Sequence, residues 1–110
     1  MSQDLSLPPP IGELVAAVNR GDTAAFLALF ADDALVDDWG RQFVGSAAIR
    51  AWSDTEFIGA KGRIEVLRVA IDGAVVTLDV DWRSTFYSGA SRFVFEIDAG
   101  LVRAMRIPAR

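Results

Sequence analysis

Two adjacent aspartates, Asp37 and Asp38, stand inside the apolar run LVDDWGRQF and are followed at once by Trp39, Gly40 and Arg41. In an extended chain neighbouring side chains point to opposite faces, so one carboxylate turns inward and the other outward. An inward carboxylate beside a tryptophan is a candidate general base, because desolvation disfavours its charged form and so strengthens its hold on a proton. It is also a candidate structural anchor, held by the backbone or by Arg41. Arg41 could grip a substrate carboxylate in a fork or form a salt bridge to Asp38 or Asp54. Further on, Ser53 and Glu56 fall on or near one helical face with Ile49, Trp52 and Phe57, which makes them polar contacts for anything held against that face.

Two absences narrow the chemistry. The 110-residue chain has no histidine and no cysteine, which removes the commonest general base, the commonest zinc ligand, thiol nucleophiles and disulfides. Acid/base work must then fall to Asp, Glu, the single tyrosine Tyr87 or the single lysine Lys61. Nothing is spaced like a calcium loop, so neither a metal nor a cofactor is expected.

Positioning these residues requires a core, and 52% hydrophobic residues are enough to build one without staples. A single domain over residues 1–110 is expected, with residues 1–7 a loose tail. After the three prolines, Ile11, Leu14, Val15 and Val18 recur at helical spacing, and Gly21 is placed to end that helix. Asp22 would N-cap a second helix through DTAAFLALFA, with Asp32 and Asp33 closing it and Phe26, Leu29 and Phe30 buried. A strand is expected from Ala34 to Trp39, a turn at Gly40 and Arg41, and a short return strand. A third helix would open at Gly45 and Ser46 and stop near Gly59 or Gly62. Four strands follow, the second running from Ala74 to Tyr87, with hairpin signals at Asp72-Gly73, Ser88-Gly89 and Ala99-Gly100. In the second, Val76, Leu78, Val80 and Trp82 alternate with Thr77, Asp79, Asp81 and Arg83. Helices gathered in front of a strand meander mean an α+β fold with an antiparallel sheet.

Net charge is −4 and no basic run is present, so nucleic acid and anionic lipid are not expected partners. MSQDLSLPPP lacks a basic n-region and an apolar h-region, and no stretch approaches membrane-spanning length. A cytoplasmic protein is expected.

The order helix, helix, strand, strand, helix and four strands, with NRGDTAAFLALFADDALVDDWG running into FVGSAAIRAW, resembles the nuclear transport factor 2-like superfamily. That group includes ketosteroid isomerases and polyketide-cyclase (SnoaL-like) proteins. The resemblance implies a curved sheet wrapped into a cone around three helices, with a pocket at the open end that takes a small hydrophobic molecule. It places Asp38 at the position of the isomerases' aspartate base, and strand alternation likewise turns Asp38 inward and Asp37 outward. Leu14 and Phe93 fall at the positions of the isomerases' oxyanion tyrosine and protonated aspartate, so both of those donors are missing. The expected pocket draws on Leu14, Trp39, Arg41, Trp52, Ser53, Glu56 and Phe57, and on Trp82, Phe86, Phe93, Phe95 and Met105 as an apolar wall, with Asp38 the candidate catalytic residue. A homodimer through the outer face of the sheet is the family habit.

Overall fold

The computed structural model describes residues 6–109, so the first five residues of the expected tail lie outside it. Leu7, assigned to that tail by the sequence, instead packs half-buried against the core. Helix α1 (Ile11–Arg20) buries Ile11, Leu14, Ala17 and Val18 and stops at Gly21, whose φ of +72° is the left-handed conformation glycine adopts without strain. Asp22 caps α2 (Thr23–Ala28) by accepting the Ala25 N–H at 3.0 Å. The Asn19 side chain extends a strand's bonding pattern sideways: its carbonyl accepts from Ile64 N–H at 2.6 Å and its amide donates to Ile64 O at 2.9 Å. This ties the end of α1 to the start of β3 (Arg63–Asp72).

Strand β1 (Phe30–Asp38) starts four residues earlier than the periodicity predicts, and α2 is correspondingly short. Pairing overrides local helix propensity here, since Leu29 O accepts from Val102 N–H at 2.8 Å and Phe30 registers with Val102 of β6 (Leu101–Ile107). Asp32 and Asp33, expected to close the helix, are exposed where the β1/β6 register shifts between Phe30 and Leu35. The return strand β2 (Arg41–Val44) leads to α3 (Ser46–Glu56). That helix ends before Gly59 because the Gly59 N–H bonds Ser53 O at 2.9 Å, and a Cβ at Gly59 would stand 1.6 Å from the Asp54 carbonyl oxygen.

Strands β4 (Val75–Arg83) and β5 (Gly89–Asp98) complete a six-stranded sheet in the order β2-β1-β6-β5-β4-β3. Four neighbouring pairs are antiparallel. The fifth, β1 with β6, is parallel, because the meander delivers β6 in the same direction as β1. The sheet is curved and unclosed, with the three helices on its inner face. In β4 the expected alternation appears as buried Val76, Leu78, Val80 and Trp82. Strand β4 ends at Arg83 instead of Tyr87 because Ser84 organises a turn: its hydroxyl accepts from the Phe86 and Tyr87 N–H groups at 3.1 and 2.9 Å. Thr85 is fastened to Ala60 by its N–H at 2.8 Å and its hydroxyl at 3.0 Å, both directed to the same carbonyl.

Candidate functional site

The inner face of the sheet opens at the end where β1, β4 and β6 finish and β5 begins. A cavity of about 290 Å³ lies there, open to solvent. One wall comes from the strands: Trp82, Ser91 and Phe93, with Ile107 in register with Asp38. Trp52, Glu56 and Phe57 supply the helical wall from α3 and its end. Trp39 and Arg41 come from the β1–β2 turn, Phe86 and Tyr87 from the Ser84 turn.

Aromatic packing fixes the walls. Phe57 lies flat between Trp52 and Trp82, at centroid distances of 4.7 and 4.5 Å, and Phe93 meets both Phe57 and Trp82 edge-on. Gly62 makes that column possible: a Cβ there would stand 2.1 Å from a Trp82 ring carbon, so the ring lies directly on the backbone. The turn Asp38-Trp39-Gly40-Arg41 is a two-residue hairpin with positive φ at both central residues, +55° for Trp39 and +86° for Gly40. A bulky residue in the left-handed region is strained, and this one sits at the mouth of the cavity, half exposed.

The polar side of the cavity is one connected cluster. Asp38 Oδ2 accepts from the Arg41 guanidinium at 2.8 Å and from Trp52 Nε1 at 3.1 Å. Arg41 also forks onto Glu56, at 2.9 and 2.6 Å, and directs its Nε–H to the Asp38 carbonyl at 3.4 Å. The fork onto Glu56 holds that carboxyl below its ordinary pKa and holds the guanidinium above its own. Asp37, on the opposite face, accepts the Gly40 N–H at 2.8 Å and so braces the turn. Asp38 thus faces inward and Asp37 outward, and the inward carboxylate is paired. Among the described residues no donor reaches Asp38 Oδ1.

Nine of the residues put forward from the sequence converge on the cavity: Asp38, Trp39, Arg41, Trp52, Glu56, Phe57, Trp82, Phe86 and Phe93. Leu14, Ser53, Phe95 and Met105 do not line it; each is fully buried in the solid part of the core. Leu14 lies on the buried face of α1, and the Ser53 hydroxyl is spent on the turn after α3, 3.4 Å from Ile58 N. Phe86, expected in the buried wall, is 64% exposed at the rim. Tyr87, Ser91 and Ile107 join the lining without a sequence pattern that singles them out for it. Ser91 and Ile107 follow from register, opposite Val80 and Asp38, whereas Tyr87 arrives through a turn whose serine hydrogen bonds carry no periodic signal.

Among the described residues, no group of three or more His, Cys, Asp or Glu side chains is gathered as for a metal ion, and no helix is long and apolar enough to cross a membrane. The sequence profile of the SnoaL-like domain matches residues 11–105. This chain belongs to the SnoaL-like family. Solved structures agree with the fold of a SnoaL-like domain. A candidate polyketide cyclase from Sinorhizobium meliloti is 26% identical and superposes with a TM-score of 0.87 over 96% of this chain and 99% of that one. The Δ5-3-ketosteroid isomerase of a Mycobacterium species is 23% identical, with a TM-score of 0.80 over 91% of this chain and 89% of that one. A Mycobacterium tuberculosis protein solved with estradiol-17β-hemisuccinate is 18% identical, with a TM-score of 0.79 over 91% of this chain and 90% of that one. No curated protein matches the sequence.

Proposed function

We propose that this SnoaL-like domain binds a small, ring-containing hydrophobic molecule in the cavity at the open end of its sheet, in the cytoplasm. The observation that carries this reading is the cavity itself: about 290 Å³ of space walled largely by aromatic side chains, with its few polar groups collected on one side. Similar folds take such molecules, one with a steroid ester bound and one a ketosteroid isomerase by name. A ligand that binds only the folded protein raises its stability, so a thermal-shift and native mass-spectrometry screen of fused-ring metabolites is the test. Hits are expected to vanish in Ser91→Phe, which fills the cavity from β5. Absence of any hit, or hits unaffected by that substitution, would overturn the reading.

A second reading is proton transfer by Asp38, favoured by the free Oδ1 beside the cavity. It does not extend to isomerising Δ5-ketosteroids. Phe93 cannot donate a hydrogen bond to a dienolate oxygen, and Leu14 neither donates one nor reaches the cavity. The expected result is no turnover above background with a standard steroid substrate; turnover abolished by Asp38→Asn would contradict it.

The outer face of the sheet supports a homodimer as part of the proposal. Arg92–Asp79, Arg83–Asp81 and Arg106–Glu96 ion pairs alternate in sign there, a pattern that can face a copy of itself across a two-fold axis. Light scattering at micromolar concentration should give twice the chain mass, and a monomer mass would remove this part.

A further inference from the structure

From the charge balance of the cavity, and resting on the binding reading above, we infer that the ligand presents a hydrogen-bond donor, neutral or cationic, to Asp38, and that the cavity rejects anions. The ionised groups lining the cavity are Asp38, Glu56 and Arg41, a sum of one negative charge. Arg41 is not available to a ligand. The Asp38 and Glu56 side chains and the Asp38 carbonyl take up four of its five N–H bonds. A ligand carboxylate would have to displace Glu56 from a bidentate fork and leave that acid unpaired in an apolar site, which is costly. The groups left open point the other way. Oδ1 of Asp38 accepts from no donor among the described residues, and the surrounding aromatic walls present π-systems that attract cations and not anions. The net charge of −4 on the whole chain adds to the same preference.

The test uses the full chain and three ligands of one shape: 2-naphthylmethylamine, 2-naphthylmethanol and 2-naphthoate, with affinities measured by calorimetry at neutral pH. The amine is expected to bind at least tenfold tighter than the carboxylate, with the alcohol between them. Asp38→Asn, nearly isosteric and one charge less negative, should shrink the amine-to-carboxylate ratio by about tenfold while leaving the alcohol within a few fold. A carboxylate binding as tightly as the amine, or a ratio unchanged in Asp38→Asn, would overturn the inference while leaving the cavity a binding site. Binding of none of the three would instead remove the binding reading and this inference with it.

Discussion

The inner face of the sheet runs unbroken from Val76 and Phe95 at one end to Trp82 and Gly89 at the other, yet its two ends are finished differently. At the closed end Leu14, Val76, Phe95, Val102 and Met105 are all but inaccessible to solvent and contribute only apolar side chains. At the open end the same strands stop around a cavity, and the residues that cover it are a strained turn, a serine-knotted turn and a carboxylate–guanidinium cluster. Alternation along the strands builds both ends. What separates them is the cover: α1 and α2 contribute no side chain to the cavity lining, and α3 with the residue after it contributes only Trp52, Glu56 and Phe57. Where packing is complete, substitutions should cost stability; where it is left incomplete, they should cost binding.

Phenylalanine truncation gives the largest expected contrast. Phe95→Ala, at a fully buried position, should lower unfolding free energy by about 3–5 kcal/mol, the range for a large aromatic lost from a packed core. Phe86→Ala, at a position 64% exposed, should change it by less than about 1 kcal/mol while weakening ligand binding. Denaturant melts of the two variants measure this. Similar losses from both would mean that the open end is packed as tightly as the closed one.

Gly62→Ala probes the boundary between the two ends. The added methyl would fall 2.1 Å from the Trp82 ring, whose face is stacked on Phe57, and 2.8 Å from the Phe57 carbonyl oxygen. A loss of about 1–3 kcal/mol is expected, together with a changed near-ultraviolet circular dichroism signal from the displaced tryptophan. An unchanged spectrum would show that the column can slide.

The closed end is far more legible in the sequence than the open one, and the reason is physical. Apolar periodicity reports which residues face a core, so spacing alone places Ile11, Leu14, Val18, Val76, Leu78 and Val80 inside. The same signal cannot say where a core stops. Phe95 and Met105 carry as strong an inward pattern as Phe93, yet they lie one or two layers below the cavity. Asp38 is recoverable because two adjacent acids on a strand must separate, and its pairing with Arg41 is one of the alternatives that hairpin spacing allows. The stronger partner, Glu56, lies fifteen residues from Arg41 and requires the fold to bring α3 over the turn. The early start of β1 is hidden for the same reason, since Val102 captures it from the far end of the chain.

A pH titration of stability separates the ends by charge. Arg41 lowers the folded-state pKa of Glu56 below its unfolded value near 4.5, so the pair's contribution is fully present above that value and is lost as pH falls through the lowered folded value. Glu56→Gln should therefore flatten the acid side of the stability curve by about 1 kcal/mol, a figure kept small because Arg41 is half exposed. Asp79, lowered by Arg92 on the outer face, leaves a residual slope in the same direction in both proteins. Denaturant midpoints from pH 6 down to pH 3 for wild type and variant measure the difference. Parallel curves would show that Glu56 contributes nothing through Arg41.

The smallest effect expected on stability is also the one with reversed sign. Trp39 occupies a left-handed position, φ +55°, in the hairpin that carries Asp38 and Arg41, a conformation that costs a bulky side chain about 1 kcal/mol. The equivalent turn between β5 and β6 uses the small Ala99, φ +52°, before Gly100, and neither residue lines this cavity. Asparagine followed by glycine is the favoured pair for such turns because asparagine tolerates positive φ. Trp39→Asn keeps Gly40 and the Asp37 brace on its N–H, and should raise unfolding free energy by about 0.5–1 kcal/mol, offset in part by the half of the indole that is buried. The same variant removes one aromatic wall at the mouth of the cavity and should weaken binding of 2-naphthylmethylamine several fold. Gain of stability with loss of affinity is the signature of a residue kept for the ligand against the preference of its backbone. A destabilised variant with unaltered affinity would assign Trp39 to the fold, and the distinction between the two ends would then begin at Asp38 and not at the turn.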